Sequence, residues 1–314
     1  MKRPSLLIAS TLLALAVLLS GCAPPGARGS ITLSGAYALH PMVTRWAEEY
    51  QRLHPGVAFE ISNGGAGRGM TDVLAGAVDL AMVSRRVTPE EQGQGAYAIP
   101  VVRDAVFPMI NRRNPVAAEI AAQGLSPEVL SEIFISGEIT TWGATVGRPD
   151  VADEIHVYTR LDSSGAAETW SLFLGGDSQS DLVGVGVSGE PALLQALIAD
   201  PLGISYNNLG YAFNNASGEP VEGVVPAPVD LNGNGVADDE EVAATMSTAA
   251  DLIATGKYPA PPARDLNLVA KGRPTGRTAD FLLWVLTDGQ EFVDQAGYVQ
   301  LAPEQLEASL QLVR

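Results

Sequence analysis

One polar stretch, Arg160-Leu161-Asp162-Ser163-Ser164-Gly165, lies between two predicted elements of secondary structure. It follows His156 to Thr159, a short run predicted to be a strand, and it precedes Ala166 to Leu174, which is predicted to be helical. The polar stretch therefore joins the end of a strand to the beginning of a helix. A turn of this kind presents backbone N–H groups at the N-terminus of the helix, where they can meet a ligand.

The same order of strand, turn and helix occurs twice near the N-terminus. Ile31-Thr32-Leu33 is predicted to be a strand, Ser34 to Ala38 a turn, and Pro41 to Leu53 an amphipathic helix. The following elements are a strand at Val57 to Ile61, a glycine-rich loop at Asn63 to Gly69, a helix at Met70 to Ala75 and a strand at Asp79 to Val83. Alternation of this kind indicates an α/β protein with a parallel sheet flanked by helices.

Three loops thus come after strands and open helices, namely Gly35 to Ala38, Asn63 to Gly69 and Arg160 to Ala166. Helix N-termini carry unsatisfied N–H donors and the positive end of the helix dipole, so several that converge form an anion site without a metal. Arg85 and Arg160 can supply charge, and the hydroxyls of Ser84 and Ser164 can donate or accept hydrogen bonds. For one loop alone, a tight turn or a helix cap is the simpler interpretation, but three together favour binding.

Composition excludes several classes of protein. The formal charge of −17 argues against nucleic acid and anionic membrane surfaces as partners, so an anion site must create its own positive field. One cysteine permits no intramolecular disulfide, and three histidines without a His/Cys cluster argue against a transition-metal enzyme. The glycine loop matches neither the dinucleotide-binding fingerprint nor the Gly-Lys-Ser/Thr motif of P-loop nucleoside triphosphatases.

The N-terminus carries the pattern of a lipoprotein signal peptide. Met1-Lys2-Arg3 is followed by an apolar run that ends in Leu19-Ser20-Gly21-Cys22. We expect residues 1–21 to be removed, Cys22 to carry a diacylglycerol with a further acyl chain such as palmitate, and residues 22–29 to form a linker. This predicts an extracytoplasmic protein, in the periplasm or on the outer face of the cell membrane, that is held to the membrane by its lipid.

A second motif lies far from these loops. Residues 230–241 fit the calcium loop D-x-[DN]-x-[DN]-G-x₅-E without a mismatch. The predicted Ca²⁺ ligands, in the order of the loop, are Asp230, Asn232, Asn234, the carbonyl of Val236, Asp238 and Glu241. A helix is expected at Glu241 to Ile253, but none before the loop, so the motif is half an EF-hand with a structural role. The alternative is an acidic, solvated turn.

The ordered motifs resemble those of the periplasmic phosphate-binding proteins of ABC phosphate importers, over nearly the whole mature length. The motifs that carry this resemblance are Ser34-Gly35-Ala36-Tyr37, Arg45-Trp46-Ala47, Asn63-Gly64-Gly65-Ala66-Gly67, Val78-Asp79-Leu80-Ala81, Ser84-Arg85, the stretch at 160–165, and Gly297-Tyr298-Val299-Gln300-Leu301. The resemblance implies a two-lobed type II periplasmic-binding-protein fold with a mixed sheet flanked by helices in each lobe. Lobe I would comprise residues 30–107 and 265–314, lobe II residues 108–264, and the ligand would lie in the cleft between them.

The resemblance also implies the site and the function. The ligand contacts carried over from the family are Tyr37, Ala38, Ala66, Ser84, Arg160, Ser164, Gly165 and Ala166, with Arg85 as a further cation and Asp162 as the partner that holds Arg160. The family usually has Ser or Thr where this chain has Tyr37, Ala66 and Ala166, and some members have aspartate in place of Ser84. The protein would capture phosphate and deliver it, as a monomer, to the permease subunits of an importer.

Other functions are left open by the sequence. The ligand could be another oxyanion, such as sulfate, molybdate or tungstate, because Ser84 can serve an anion with or without a proton. A sensing or adhesion protein with a degenerate cleft is a further alternative. An enzyme that uses Ser164 as a nucleophile is disfavoured, because no Gly-x-Ser-x-Gly motif surrounds it and His156 has no evident acidic partner in the sequence.

Overall fold

The computed structural model describes residues 29–314. The predicted signal peptide at residues 1–21, Cys22 and all but the last residue of the linker lie outside the described residues. The strands are β1 Ser30–Gly35, β2 Ala58–Asn63, β3 Leu80–Val83, β4 Ala96–Asn111, β5 His156–Arg160, β6 Val185–Val187, β7 Gly203–Asn208, β8 Val224–Pro226 and β9 Ala263–Lys271.

Helices cover the sheet and connect its strands. The α-helices are α1 His40–Leu53, α2 Ala66–Leu74, α3 Pro89–Gly93, α4 Ala117–Gln123, α5 Pro127–Ser131, α6 Trp142–Thr145, α7 Gly165–Phe173, α8 Glu190–Ala199, α9 Leu209–Ala212, α10 Met246–Ala254, α11 Gly276–Val285 and α12 Pro303–Val313. Within the described residues, no helix is both long and apolar enough to cross a membrane.

A mixed sheet runs through both halves of the molecule, with strand order β2-β1-β3-β9-β4-β7-β5-β6 and with β8 on β4. Strands β1, β2 and β3 are parallel, as the alternation of elements predicts, while β9 is antiparallel to β3 and β4. The long strand β4 pairs with β9 over its first part and with β7 over its second. It therefore runs through both parts of the sheet and joins them.

Two separate hydrophobic cores lie on either side of the point where β4 changes its partner from β9 to β7. One contains side chains from Ile31 to Val102 and from Leu266 to Val313, and the other contains side chains from Ala105 to Ala263 together with Val299. Each core packs helices against its own part of the sheet. This confirms the predicted α/β class with a mixed, helix-flanked sheet in each lobe. The lobe limits at 107 and 265 stay a prediction, close to the points where the cores change.

The helix predicted at Glu241 to Ile253 is wrong at its N-terminal end. Residues 241–245 form no helix, and α10 begins at Met246. The Thr245 hydroxyl accepts a hydrogen bond from the N–H of Thr248 at 3.2 Å, which caps the helix there. The buried carboxyl of Glu241 instead accepts N–H groups of the calcium-like loop.

Candidate functional site

The three loops that the sequence singles out meet where the two lobes touch. The N–H groups of Gly64 and Gly65 each donate to the carbonyl of Gly35 at 3.1 Å, which joins the first two loops within lobe I. The N–H of Gly67 donates to the carbonyl of Ser163 in lobe II at 3.3 Å. The N-termini of α2 and α7 are thereby held close together across the cleft.

Arg160 ends strand β5 beneath these loops, with a side chain that is only 1% exposed. Its Nε donates to Asp162 Oδ1 at 2.8 Å, and its Nη2 contacts Asp162 Oδ2. Burial lowers the pKa of Arg160, but the charges of Glu190 and Asp162 outweigh this effect and raise the pKa above its ordinary value. The guanidinium is therefore a fixed, buried positive charge.

Tyr37, in the first loop, covers the guanidinium group of Arg160. The guanidinium carbon lies 5.4 Å from the centre of the Tyr37 ring, a cation–π distance. The carbonyl of Ala38 accepts the hydroxyl of Tyr298 at 2.6 Å, and Ala38 is buried. Ala66 is also buried and is the first residue of α2. Neither alanine has a side-chain donor, so each could contribute only backbone groups to a binding site.

Ser84 and Gly165 face each other across the cleft. A Cβ on Gly165 would lie 2.4 Å from Ser84 Oγ and 2.5 Å from the Ser84 carbonyl, so only glycine fits this approach. Ser164 caps α7, since its Oγ accepts the N–H of Ala167 at 3.3 Å. The N–H groups of Gly165 and Ala166 at the start of α7 have no acceptor within the helix, and they remain as donors for an anion.

Arg85 lies apart from this group. Its Nη2 is 2.6 Å from Glu91 Oε1, and its Nη1 donates to Glu91 Oε2 at 3.0 Å. The pair lines an outer cavity of about 920 Å³ that Gly67 and Ser163 also border. In the part of the chain that the structure describes, no contact links Arg85 to Arg160. The contacts described above thus join the loops that carry Tyr37, Ser84, Arg160, Asp162 and Gly165, whereas the guanidinium of Arg85 is paired with Glu91.

Four polar residues of the site were missed by sequence reasoning: Asp104, Glu190, Asn208 and Arg264. Glu190, the first residue of α8, places Oε1 2.5 Å from Arg160 Nη1 and accepts Asn208 Nδ2 at 2.9 Å. Asn208 Oδ1 contacts Arg264 Nη2, and Arg264 Nε donates to the carbonyl of Ser84 at 2.7 Å. Arg264 also pairs with the buried Asp104 at 3.4 Å. A chain of buried polar contacts therefore runs from Arg160 in lobe II to Ser84 in lobe I.

Three charged atoms in this chain have no hydrogen-bond partner among residues 29–314. They are Arg160 Nη1, Arg264 Nη1 and Glu190 Oε2, and all three are buried. Arg160 Nη1 lies 2.5 Å from Glu190 Oε1, so its charge is compensated by this ion pair. Buried donors and acceptors without partners are costly, so their concentration between the lobes indicates a ligand site.

His156, contrary to expectation, has an acidic partner: its Nδ1 lies 2.7 Å from Asp200 Oδ2, which also accepts the hydroxyl of Tyr158 at 2.9 Å. His156 is at the opposite end of β5 from Arg160, about 13 Å away for four strand steps. The Ser164 hydroxyl is used by the helix cap. These positions do not assemble a Ser-His-Asp site.

The calcium-like loop, residues 230–241, is folded around its own carboxylates. Asp230 Oδ1 accepts the N–H of Gly233 at 2.8 Å, and Oδ2 accepts the N–H of Gly235 at 2.9 Å. Glu241 Oε1 accepts the N–H of Leu231 at 2.7 Å. Asp230 and Glu241 are each only 6% exposed, and no Lys or Arg within residues 29–314 forms an ion pair with either.

The other predicted ligands lie on the outer side of the same loop. The Nδ2 atoms of Asn232 and Asn234 donate to Asp238 Oδ2 at 2.8 and 2.9 Å, and Val236 is exposed. Over the described range, no three His, Cys, Asp or Glu side chains are grouped as metal ligands. A calcium ion would therefore require the two asparagines to turn their oxygens inward.

Comparison with known proteins identifies the class of protein to which this fold belongs. A family model described as the PBP superfamily domain matches residues 22–288, and the chain belongs to this superfamily. The phosphate-binding protein PstS of Bacillus subtilis is 26% identical over 279 residues, which cover 87% of this chain and 81% of that protein. PstS of Methanocaldococcus jannaschii is 25% identical, with coverages of 90% and 85%.

Solved structures show the same fold. A protein of Clostridium perfringens, assigned as a phosphate ABC transporter substrate-binding protein and solved with bound phosphate, has a TM-score of 0.70 at 20% identity, covering 87% of this chain and all of that one. An ABC-type phosphate transport receptor of Vibrio cholerae has a TM-score of 0.64 at 20% identity, with coverages of 86% and 100%. The resemblance inferred from the ordered motifs is confirmed. These relatives are substrate-binding transport proteins, not enzymes, as was predicted for this chain.

Proposed function

We propose that this protein binds a tetrahedral oxyanion, phosphate first, between its two lobes and delivers it to an ABC importer. The observation that carries the proposal is the buried guanidinium of Arg160, which ends β5 just before the turn that opens α7. A charge-assisted donor and helix N–H groups are the donors that anion sites use. The names of the relatives favour phosphate over the other oxyanions.

Isothermal titration calorimetry with phosphate, arsenate, sulfate, molybdate and tungstate tests this proposal. We expect the tightest binding with phosphate. The Arg160→Ala variant should lose binding by at least about a hundredfold, because a charge-assisted contact in a buried site is removed. Arg85→Ala is the matched control and should bind nearly as well as the wild type, since Glu91 occupies its guanidinium. A protein that gives no heat with any oxyanion would contradict the transport role and favour sensing or adhesion.

We further propose that the protein is an extracytoplasmic lipoprotein anchored through Cys22. The support is the sequence alone: a basic start, an apolar run and small residues directly before the one cysteine. Metabolic labelling with a palmitate analogue should mark the wild type but not a Cys22→Ser variant. Equal labelling of the two proteins would refute the anchor.

A structural calcium ion in the loop at 230–241 is the third proposal. It rests on the full match to the calcium-loop motif and on two buried carboxylates, Asp230 and Glu241, that have no cationic partner among residues 29–314. The ion would compensate these charges and fix the loop that precedes α10. Extracellular calcium is sufficient to fill even a weak site.

A further inference from the structure

Strand β6 forms a free edge of the sheet on lobe II. It is the last strand in the sheet order, and β5 is its only partner among the strands that the structure describes. The residues around it, 183–189, read Val-Gly-Val-Gly-Val-Ser-Gly and contain neither a charge nor a proline. Sheet edges offer unpaired N–H and C=O groups to other chains, and proteins usually protect such edges with charges, proline or a covering element. The edge of β6 lacks the first two of these protections.

The side chains at this edge are apolar and open to solvent. Val185 is 62% exposed, and Val183 is 39% exposed. Leu161 is 72% exposed and lies over Gly186, since a Cβ on that glycine would be 3.3 Å from Leu161 Cβ. Strand β2, at the other end of the sheet order, instead carries the exposed charge of Glu60. Only the β6 edge therefore combines exposed apolar side chains with an uncharged strand.

The backbone of Gly186 supplies the groups that a further strand needs. The N–H of Leu161 donates to the carbonyl of Val187 at 2.9 Å, so this carbonyl points towards β5. Because backbone groups alternate in direction along a strand, the N–H and C=O of Gly186 point away from β5. Glycine has no side chain to hinder the approach of another backbone. The outer edge is therefore accessible at its centre.

Contacts just before β6 hold this edge in place. The N–H of Val183 donates to the carbonyl of Phe134 at 2.8 Å. Gly184 has a φ of +122°, and a Cβ there would lie 2.5 Å from the carbonyl oxygen of Val157, so only glycine fits this approach. A strand edge that is already ordered loses little conformational entropy when a partner binds to it.

An apolar groove of about 380 Å³ lies beside the same edge. Its apolar lining comes from three isoleucines and three valines: Ile133, Ile139, Ile155, Val157, Val183 and Val185. Ile139, Ile155 and Val157 pack against the second hydrophobic core, so the floor of the groove continues that core. A strand added to β6 would direct every second side chain to one face, where the groove can receive it.

The surroundings of the groove are acidic. Glu138 and Glu154 are exposed and directly precede the lining residues Ile139 and Ile155, and the exposed Asp181 lies two positions before Val183. Among residues 29–314, none of these three carboxylates forms an ion pair, and no Lys or Arg lines the groove.

This charge decides between the possible occupants. A second copy of this chain would bring the same carboxylates to the edge, and the formal charge of −17 would oppose its approach. The linker of this chain enters the fold at β1, which lies beside β2 at the other end of the sheet order. A cationic segment of another protein would be attracted.

We propose that β6 and the groove beside it bind an extended, cationic segment of another protein that has apolar residues at alternate positions. The segment adds a strand to β6 at Gly186, places its apolar side chains in the groove, and brings its Lys or Arg side chains to the surrounding carboxylates. The groove is lined by His156, at the end of β5 opposite to Arg160. The proposal is therefore separate from the interlobe site and does not depend on oxyanion binding.

Fluorescence anisotropy with labelled synthetic peptides tests this proposal on the whole protein. The probe is a peptide of alternating Lys and Val, about nine residues long, which is the length of a long strand. One control peptide has Glu in place of Lys, and the other has proline in place of the central Val. We expect the Lys-Val peptide to bind at least about tenfold more tightly than either control, because the first control is repelled and the second lacks an N–H for the ladder.

Two variants with the same change of charge locate the binding. Val185→Lys places a cation on the proposed edge, whereas Leu53→Lys places one at a leucine of lobe I that is 52% exposed. Val185→Lys should weaken binding of the Lys-Val peptide at least about tenfold, and Leu53→Lys should change it by less than about threefold. In the wild type, bound peptide should also slow amide hydrogen exchange at residues 184–187. This measurement needs no variant, so it holds even if Val185→Lys impairs folding.

The other outcomes contradict the proposal. Equal binding of the Lys-Val and proline peptides, or an equal effect of the two variants, would show a general attraction of cations to an acidic protein. Unchanged hydrogen exchange at residues 184–187 with bound peptide would place the peptide elsewhere. A wild-type dimer in sedimentation velocity that Val185→Lys dissociates would make a second copy the occupant. A wild type that binds none of the peptides would also overturn the proposal.

Discussion

Asp104 is a carboxylate buried at the point where β4 passes from one core to the other. It is fully shielded from solvent, accepts the N–H of Leu209 at 3.1 Å, and lies 3.4 Å from Arg264. Burial raises the pKa of Asp104 to about 6, although Arg264 acts in the opposite direction. The same burial lowers the pKa of Arg264. Both members of the pair are thus buried although desolvation disfavours their charged forms.

This raised pKa predicts a pH dependence of stability. Between the ordinary pKa of 3.8 and about 6, the folded state binds the Asp104 proton more strongly than the unfolded state does. The contribution of Asp104 is therefore fully present below this window and is lost as the pH rises through it. The total change is up to about 3 kcal/mol, the equivalent of about two pKa units.

Urea unfolding of the wild type and of Asp104→Asn, on both sides of the window, measures this contribution. The free energy of unfolding of the wild type, relative to the variant, should fall as the pH rises. Comparison with the variant cancels the contributions of other carboxylates to the pH dependence of stability. One of these is Asp162: its bonds to Arg160 lower its pKa despite burial, so its contribution to stability has the opposite sign. Parallel pH curves for the two proteins would show that Asp104 does not titrate as described.

Among single residues, the sequence predicts those site groups that are close neighbours along the chain. Arg160, Asp162 and Ser164 are recognisable because they lie in one strand, turn and helix unit, and the turn itself brings their groups together. Glu190 and Arg264 come from other elements, and a charged residue in a sequence is expected on the surface unless its partner is known. Only the pairing of distant strands shows that these two charges are buried together.

At the scale of elements, the loop from 230 to 241 and the helix α10 behave as a unit whose stability calcium should control. Saturating calcium should raise the midpoint of thermal unfolding of the wild type, and an ion at a hundred times its Kd contributes about 2.7 kcal/mol. Glu241→Ala should abolish this rise, because Glu241 is the bidentate ligand that closes the loop. Thermal scans in calcium and in chelator make the comparison.

The adjacent Glu240 provides the control for this experiment. It is exposed, pairs with Lys257 at 2.8 Å, and does not occupy a ligand position of the motif. Glu240→Ala should therefore keep the full response to calcium. If Glu241→Ala lowers the unfolding midpoint equally in calcium and in chelator, the carboxylate serves only the N–H groups of its own loop.

Element boundaries show why part of this region escaped prediction. Apolar residues from Val242 onward suggest a helix directly after the loop, but the loop draws Glu241 inward and the capping box of Thr245 and Thr248 starts α10 later. That capping pair is a signal in the sequence that could have placed the boundary. The helix α8 and the strand β9, which carry Glu190 and Arg264, have weaker local signals.

At the scale of the whole molecule, the direct approach of Ser84 to Gly165 indicates a closed arrangement of the lobes. We expect the unliganded protein in solution to open, and phosphate to shift it towards closure, because donors from both lobes meet the anion only in the closed form. Small-angle X-ray scattering should show a smaller radius of gyration when phosphate is added.

The Arg160→Ala variant distinguishes closure caused by bound phosphate from a general effect of added salt. Its radius of gyration should not change when phosphate is added. Gly165→Leu should remain open as well, because its side chain would enter the space held by Ser84. An identical radius of gyration for the wild type with and without phosphate would mean that binding does not proceed by lobe closure.

The pairing of β3 with β9 also sets the order in which the chain can assemble during synthesis. Ala81 on β3 is the partner of Val269, and nearly the whole second core, from Ala105 to Ala263, is encoded between them. A growing chain therefore contains nearly all of lobe II before lobe I, which is encoded in two separate segments, can be completed. Until Val269 emerges, one edge of β3 is unpaired, and such edges are the part of a growing chain that chaperones must shield from aggregation.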